Sequence, residues 1–147
     1  MTCVQIDEND IGTDDSLGLC DILNAVSNIA PGVTCSLLEL EARGRLRGDR
    51  SVVEFEQQIA SSPEGVRLTW PEFTRLAEDL DDVINLLAVG SEVPGRTAGR
   101  DPRKLAEVHD IVLERFDSTY WRVYFRRPVH GSSLRSRLSQ SRECDSD

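Results

Sequence analysis

Several signatures of common enzyme classes are missing from this chain of 147 residues. It contains no G-x-G-x-x-G, no G-x-x-x-x-G-K-[ST] and no G-x-S-x-G motif, so neither a phosphate-binding loop nor a nucleophile elbow is predicted. The two histidines, His109 and His130, form no H-x-x-x-H pair and belong to no recognisable nucleophile motif. We therefore predict no catalytic residues, no cofactor and no metal ligands, and a protein that is not an enzyme.

Long apolar runs are also missing, since none approaches the roughly 20 residues that a membrane-spanning helix needs. The first twenty residues contain five acids and no basic leader region. The four cysteines form no C-x-x-C pair, which argues against a zinc site and favours free thiols in a reducing compartment. Lys104 is the only lysine among 17 basic residues, and such arginine usage suggests a GC-rich bacterial genome. We expect a cytoplasmic bacterial protein with no membrane contact.

Acidic residues outnumber basic ones, and the formal net charge is −9. Residues 1–100 contain 18 acids and 8 arginines, a balance of −10, whereas residues 101–147 contain 8 acids and 9 basic residues. An acidic surface repels nucleic-acid backbones and attracts basic proteins, although many acidic proteins have no such partner. The charge alone disfavours nucleic acid and identifies no partner.

The first part of the chain predicts a strand, a helix and a second strand. Thr2–Ile6 is a short run that favours a strand. A helix with its N-cap near Asp15 or Ser16 follows and ends at residues 31–32. Residues 33–42 alternate as a half-buried strand should. This alternation places on one face Ser36, Leu38, Leu40 and Ala42.

Two more helices are predicted from their start signals. Ser51 and Glu54 have the spacing of a capping box, and Thr69 and Glu72 repeat that spacing around a proline at the first helical turn. The apolar stripe of the second of these helices continues to Gly90. Its last part, residues 84–89, could instead form a short strand, and the pattern leaves both alternatives open.

The C-terminal third predicts a loop and a β-hairpin. Residues 91–104 contain two prolines and two glycines without apolar periodicity, which is typical of an exposed loop. In the hairpin, residues whose numbers sum to 236 should pair, which places Glu114 opposite Arg122 and Asp110 opposite Arg126. This register buries Trp121, Val123 and Phe125 and turns outward Tyr120, Arg122, Tyr124 and Arg126. Cross-strand pairing is the favoured explanation for the outward charges.

These elements predict an α+β fold, with an antiparallel sheet that includes residues 33–42 and the C-terminal hairpin and with helices packed on one face. We expect one domain over residues 1–130, with an exposed loop at 91–104. Residues 131–147 should form a short helix or a frayed basic tail.

One acidic cluster lacks a local explanation. Asp14 and Asp15 are accounted for by the start of a helix, where carboxylates are stabilised by the helix dipole. No such stabilisation applies to the four acids in the middle or last turn of the predicted third helix, namely Glu78, Asp79, Asp81 and Asp82. A solvated helix face is the commonest reason for such crowding, but this stretch is also the best candidate surface for an arginine- or lysine-rich partner.

The stretches GVRLTWPEFTRLAEDL and DSTYWRVYF resemble small, acidic, intracellular α+β proteins of the bacterial immunity type, which neutralise a cognate toxin. The resemblance implies a non-enzymatic inhibitor that binds and occludes a toxin, commonly a nuclease, with acidic and aromatic side chains. We therefore expect a protein-binding module with a basic partner, in which Glu78, Asp79, Asp81 and Asp82 steer association and Tyr120 or Tyr124 anchors the complex. The loop at 91–104 and the basic tail depart from a simple acidic inhibitor.

Two alternatives come from other classes of function. The acidic clusters could hold magnesium or manganese in a small metal-dependent hydrolase. The acid-free stretch from Ser118 to Arg142 could instead contact nucleic acid through Arg122, Arg126, Arg127, Arg135, Arg137 and Arg142.

Overall fold

The computed structural model describes residues 1–7, 18–27, 32–92, 99–137 and 141–144. The predicted helix start near Asp15 and the Pro31 end of that helix lie outside these residues. In chain order the elements are β1 (Thr2–Asp7), α1 (Leu19–Ser27), β2 (Thr34–Gly44), α2 (Val52–Ala60), β3 (Val66–Leu68), α3 (Trp70–Asp79), β4 (Leu80–Ser91), α4 (Pro102–Val108), β5 (Ile111–Phe116), β6 (Tyr120–Phe125), α5 (Pro128–Arg137) and β7 (Ser141–Glu143).

Within the described residues, seven strands form one antiparallel sheet in the order β3-β2-β4-β5-β6-β1-β7. The predicted α+β class, with its antiparallel sheet and C-terminal hairpin, is confirmed. The hairpin pairs in the predicted register, from Ile111 opposite Phe125 to Phe116 opposite Tyr120. No described helix is long and apolar enough to cross a membrane.

Helices cover the two faces of the sheet unequally. On the first face, α1, α2, α3 and α5 enclose the larger core, whose fully buried side chains include Ile22, Ile59, Phe73 and Leu134. On the second face, α4 covers a smaller apolar cluster through Leu105 and Ala106.

The prediction of a loop over residues 91–104 missed the start of α4. Asp101 caps this helix by accepting from the backbone N–H of Arg103, and Pro102 occupies the first turn.

The local helix signals act as the sequence indicates. The Ser51 hydroxyl accepts from the backbone N–H of Glu54 at 3.3 Å, and Thr69 and Glu72 form a reciprocal capping box. The third helix ends at Asp79, however, and β4 begins at the next residue. The open question over residues 84–89 is therefore answered in favour of a strand.

A bulge in β2 changes the predicted alternation of its side chains. Between Leu37 and Glu39 the register against β4 shifts, so that Leu37 and Leu40 both face the larger core. Leu38 instead faces the smaller cluster under α4. The prediction that Leu38 and Leu40 share one face is wrong. An extra residue in a bulge shifts the alternation of side chains by one position, so that the residues after it lie on the opposite face from the one expected.

The cysteine pairing differs from expectation, and the short helix expected as one alternative for the tail is present as α5. Cys3 and Cys144 form a disulfide, so the prediction of four free thiols holds only for Cys20 and Cys35. Within residues 131–137 and 141–144, the tail is part of the domain. Leu134 is fully buried, and β7 pairs with the outer edge of β1.

Candidate functional site

Three rows of side chains cross the second face of the sheet, because antiparallel pairing aligns residues on neighbouring strands. The apolar row contains Val89, Val112, Tyr124, Cys3 and Cys144. The charged row contains Glu39, Leu87, Glu114, Arg122, Gln5 and Arg142. The outer row contains Glu41, Asn85, Phe116, Tyr120 and Asp7.

The helix α4 covers the apolar row and leaves the other two rows without a helix over them in the described part of the chain. We call the charged and outer rows together the open sheet face. Tyr124 belongs to the apolar row and is only 2% exposed. Its prediction as an outward-facing anchor is wrong, because the unpredicted helix α4 lies over it.

Hydrogen bonds fix the part of the open sheet face near β1. Asp7 accepts from Gln5 Nε2 at 2.6 Å and from Arg142 Nε at 2.9 Å. Gln5 in turn accepts from Arg122 Nε at 2.8 Å. Burial would raise the pKa of the Asp7 carboxyl, but the hydrogen bonds from Gln5 and Arg142 outweigh that effect and lower its pKa. These four side chains therefore form a continuous network across three strands.

Glu114 lies at the centre of the charged row, opposite Arg122. It accepts a hydrogen bond from the Tyr124 hydroxyl at 3.3 Å. Burial raises the pKa of the Glu114 carboxyl, and the positive charge of Arg122 opposes this rise while the negative charge of Glu39 adds to it. The predicted pairing of Glu114 with Arg122 is present as strand register and charge proximity, while the Arg122 Nε bond goes to Gln5.

An aromatic pair stands in the outer row. The rings of Phe116 and Tyr120 stack with centroids 5.6 Å apart and 16° between their planes, and the Arg122 guanidinium lies 4.5 Å from the Tyr120 centroid. Phe116 is 53% exposed, so one side of this stack remains accessible. The backbone N–H of Asp117 donates to Asn85 at 2.8 Å and ties the hairpin turn to β4. This hydrogen bond helps to fix the position of the hairpin that carries the aromatic stack.

An element boundary divides the predicted acidic cluster. Glu78 and Asp79 end α3, whereas Asp81 and Asp82 are exposed at the start of β4. Arg47 contacts Glu78 at 2.7 Å and Asp79 at 3.0 Å. Asp79 also accepts from the Arg47 backbone N–H, so its carboxylate holds the loop after β2. Asp81 and Asp82 remain exposed acids, while the other two are engaged within the chain.

Phe116 was not among the candidate site residues predicted from the sequence. The hairpin register already set Phe116 opposite Tyr120, and a large apolar side chain on a charged face was the available signal. Glu39 and Glu41 reach the open sheet face only because of the bulge in β2, for which the sequence carries no clear signal.

A buried polar pair lies at the end of β4. The Ser91 hydroxyl is 2.7 Å from Nδ1 of His109, and both side chains are buried. Burial lowers the pKa of the His109 imidazole, although Asp110 opposes this shift. The contact satisfies two buried polar groups where α4 ends. Among the described residues, no group of three or more His, Cys, Asp or Glu side chains could hold a metal ion.

Several arginines of the C-terminal region are engaged within the fold. Arg126 contacts Asp110 at 2.6 Å, as the register predicts, and Arg135 lies 3.5 Å from Glu143. Arg122 and Arg142 belong to the network around Gln5 and Asp7 described above.

The fold and the open sheet face thus define an α+β protein with an exposed aromatic and charged surface. No family model, no curated protein and no solved structure matches the chain.

Proposed function

We propose that this protein is a non-enzymatic protein-binding module and that its binding surface is the open sheet face. The observation that carries the proposal is the exposed Phe116 ring, stacked on Tyr120 among side chains that hydrogen bonds and ion contacts already hold. Exposed aromatic groups are common anchors of protein interfaces. An anchor with a fixed geometry loses little conformational entropy when a partner binds.

The acidity of the chain supports a basic protein as the proposed partner. Glu39 and Glu41 are exposed carboxylates of the open sheet face, Asp81 and Asp82 are exposed at the start of β4, and the whole chain has a net charge of −9. Such a field accelerates association with a basic protein at low ionic strength. The more specific form of the proposal is an immunity-type inhibitor that neutralises a bacterial toxin by occluding it, as the sequence resemblance implies.

The cytoplasmic location expected for such an inhibitor was predicted partly from free thiols. That reason now applies to Cys20 and Cys35 alone, because Cys3 and Cys144 are bonded to each other. Disulfides persist mainly in oxidising compartments. The binding proposal is therefore independent of location, and fractionation of cells with an antibody against the protein measures the location directly.

Affinity capture from the native cells tests the binding surface. We would compare the wild-type protein with Phe116→Ala and with Val53→Ala as a matched control, since Val53 is 60% exposed on α2, away from the open sheet face. A partner retained by wild type and by Val53→Ala, but lost with Phe116→Ala, is expected. Equal capture by all three proteins would contradict the assignment of the surface.

The contribution of the acids is tested on the captured partner. Asp81→Asn combined with Asp82→Asn should slow association at low salt, and the difference from wild type should shrink at high salt because mobile ions screen exposed charges. Glu54→Gln, an exposed change on α2, serves as the control. An association rate that does not respond to the double substitution would remove the role proposed for these two acids.

A further inference from the structure

The outer edge of β2 is only partly occupied. β3 has three residues and pairs only with Cys35, Ser36 and Leu37, whereas β2 continues to Gly44. Among the strands that the structure describes, none pairs with Leu38–Gly44 on the side away from β4. An open strand edge presents backbone donors and acceptors to any chain that approaches it.

A side chain now satisfies part of this edge. The backbone N–H of Ala42 donates to Oε1 of Glu56 at 2.8 Å, where the carbonyl of a neighbouring strand would otherwise accept. Backbone groups of alternate strand residues point the same way, so the amide and carbonyl of Leu40 face the same side as the Ala42 N–H. The edge therefore offers the hydrogen-bonding pattern of a missing strand over several residues.

A groove of about 320 Å³ lies between this edge and α2. Leu38, Leu40 and Ile59 supply its apolar surface, and three carboxylates, Glu39, Glu41 and Glu56, surround it. A second copy of the same edge would bring these carboxylates against each other and be repelled. A strand that carries positive side chains would instead be attracted, so the charge selects a basic segment of a different protein.

We propose that the β2 edge over Leu38–Ala42, before the exposed Arg43, binds an extended segment rich in lysine or arginine from a partner protein, as an added strand. Backbone hydrogen bonds to the edge supply affinity, and alternate basic side chains contact Glu39 and Glu41. The inference goes beyond the proposed function, because the edge and the Phe116 stack are separate features of the surface. Phe116→Ala should leave binding at the edge intact.

The test uses a defined probe, an acetylated and amidated hexapeptide that alternates lysine with valine. Titration into the ¹⁵N-labelled full chain should shift the amide signals of Leu40 and Ala42 and slow their hydrogen exchange. Glu39→Gln combined with Glu41→Gln should weaken binding by about three- to tenfold, since exposed ion pairs contribute only modestly to affinity. Glu54→Gln is the matched control and should bind as wild type does.

Two further probes separate strand pairing from simple charge attraction. The same hexapeptide methylated on alternate backbone nitrogens keeps its charge but loses the donors that a paired strand needs, and it should lose most of its affinity. A glutamate-valine hexapeptide should not bind. Equal binding of the methylated and unmethylated probes would overturn the proposal, and so would the absence of any saturable shift at Leu40 and Ala42 with the lysine probe. In the latter case Glu56 would act only as a guard of the strand edge.

Discussion

Phe116 stacks on Tyr120 across the β5–β6 hairpin, 5.6 Å between ring centroids, and more than half of its side chain is open to solvent. Phe73, by contrast, is fully buried beneath the sheet. The same substitution should therefore destabilise the fold far less at Phe116 than at Phe73, and this difference separates a binding residue from a core residue.

We expect Phe116→Ala to lower the free energy of unfolding by about 1 kcal/mol or less, because only an aromatic contact at the surface is lost. Phe73→Ala should lower it by about 3–5 kcal/mol, since a large cavity forms in the core. Urea unfolding followed by Trp fluorescence measures both values. A large loss of stability with Phe116→Ala would mean that this ring has a structural role.

The burial of His109 predicts a dependence of stability on pH. The pKa of its imidazole is lower in the folded protein than in the unfolded chain, where it is about 6.5. The unfolded chain therefore binds the proton more tightly, and this contribution to stability is complete above that value and is lost as the pH falls below it.

The measurement is the free energy of unfolding between pH 8 and pH 5 for wild type and for His109→Gln. The variant should be less stable at pH 8 by about 1 kcal/mol, because the contact with Ser91 is weakened, and the two curves should converge as the pH falls. Parallel curves over this range would show that His109 does not titrate differently in the two states.

Much of the fold could be predicted from local sequence signals. Two examples are the helix N-caps at Ser51 and Thr69 and the register of the β5–β6 hairpin. Each depends on residues that are close together in the sequence, so it can be predicted from the sequence alone. The end of α3 at Asp79 could not be predicted in this way, because the apolar stripe runs on without interruption into β4. There the choice between helix and strand depends on pairing with β2, which is distant in the sequence.

The candidate site was predicted less well, for the same physical reason. The alternation along β6 places Tyr124 on the face predicted to point outward, yet α4 covers it. That helix is only seven residues long, so the sequence shows little helical periodicity there. Asp79 is engaged by Arg47, a partner 32 residues away. Tertiary contacts thus decide which polar groups remain available to a partner. The register that places Tyr120 beside Phe116 depends instead on residues close in the sequence.

The disulfide predicts a loss of stability on reduction. Cys3 and Cys144 are separated by 141 positions, and a crosslink that closes so long a loop restricts the unfolded chain. Reduction with a thiol reagent should lower the free energy of unfolding by about 2–5 kcal/mol. Cys144→Ser should match the reduced wild type and should not respond further to the reductant. If wild type unfolds at the same urea concentration with and without reductant, the crosslink does not contribute to stability.

Gly131 predicts a steric conflict where α5 packs on β1. A Cβ atom added to Gly131 would overlap the Thr2 side chain, chiefly its Cγ2 atom. Alanine normally stabilises a helix interior by about 1 kcal/mol relative to glycine, so Gly131→Ala should stabilise the protein if space were available. Because Leu134 of α5 is fully buried, a shift of α5 away from Thr2 would disturb the core, and we expect a net destabilisation of about 1–3 kcal/mol.

Two further variants separate this conflict from a general effect of alanine in α5. Ser132→Ala changes the exposed neighbouring residue and should alter stability by less than about 0.5 kcal/mol. Thr2→Ser removes the Cγ2 atom and should restore part of the stability that Gly131→Ala loses, which a double-mutant cycle in urea would reveal as a favourable coupling. If the losses from Gly131→Ala and Thr2→Ser simply add, the contact between α5 and β1 does not limit the residue at position 131.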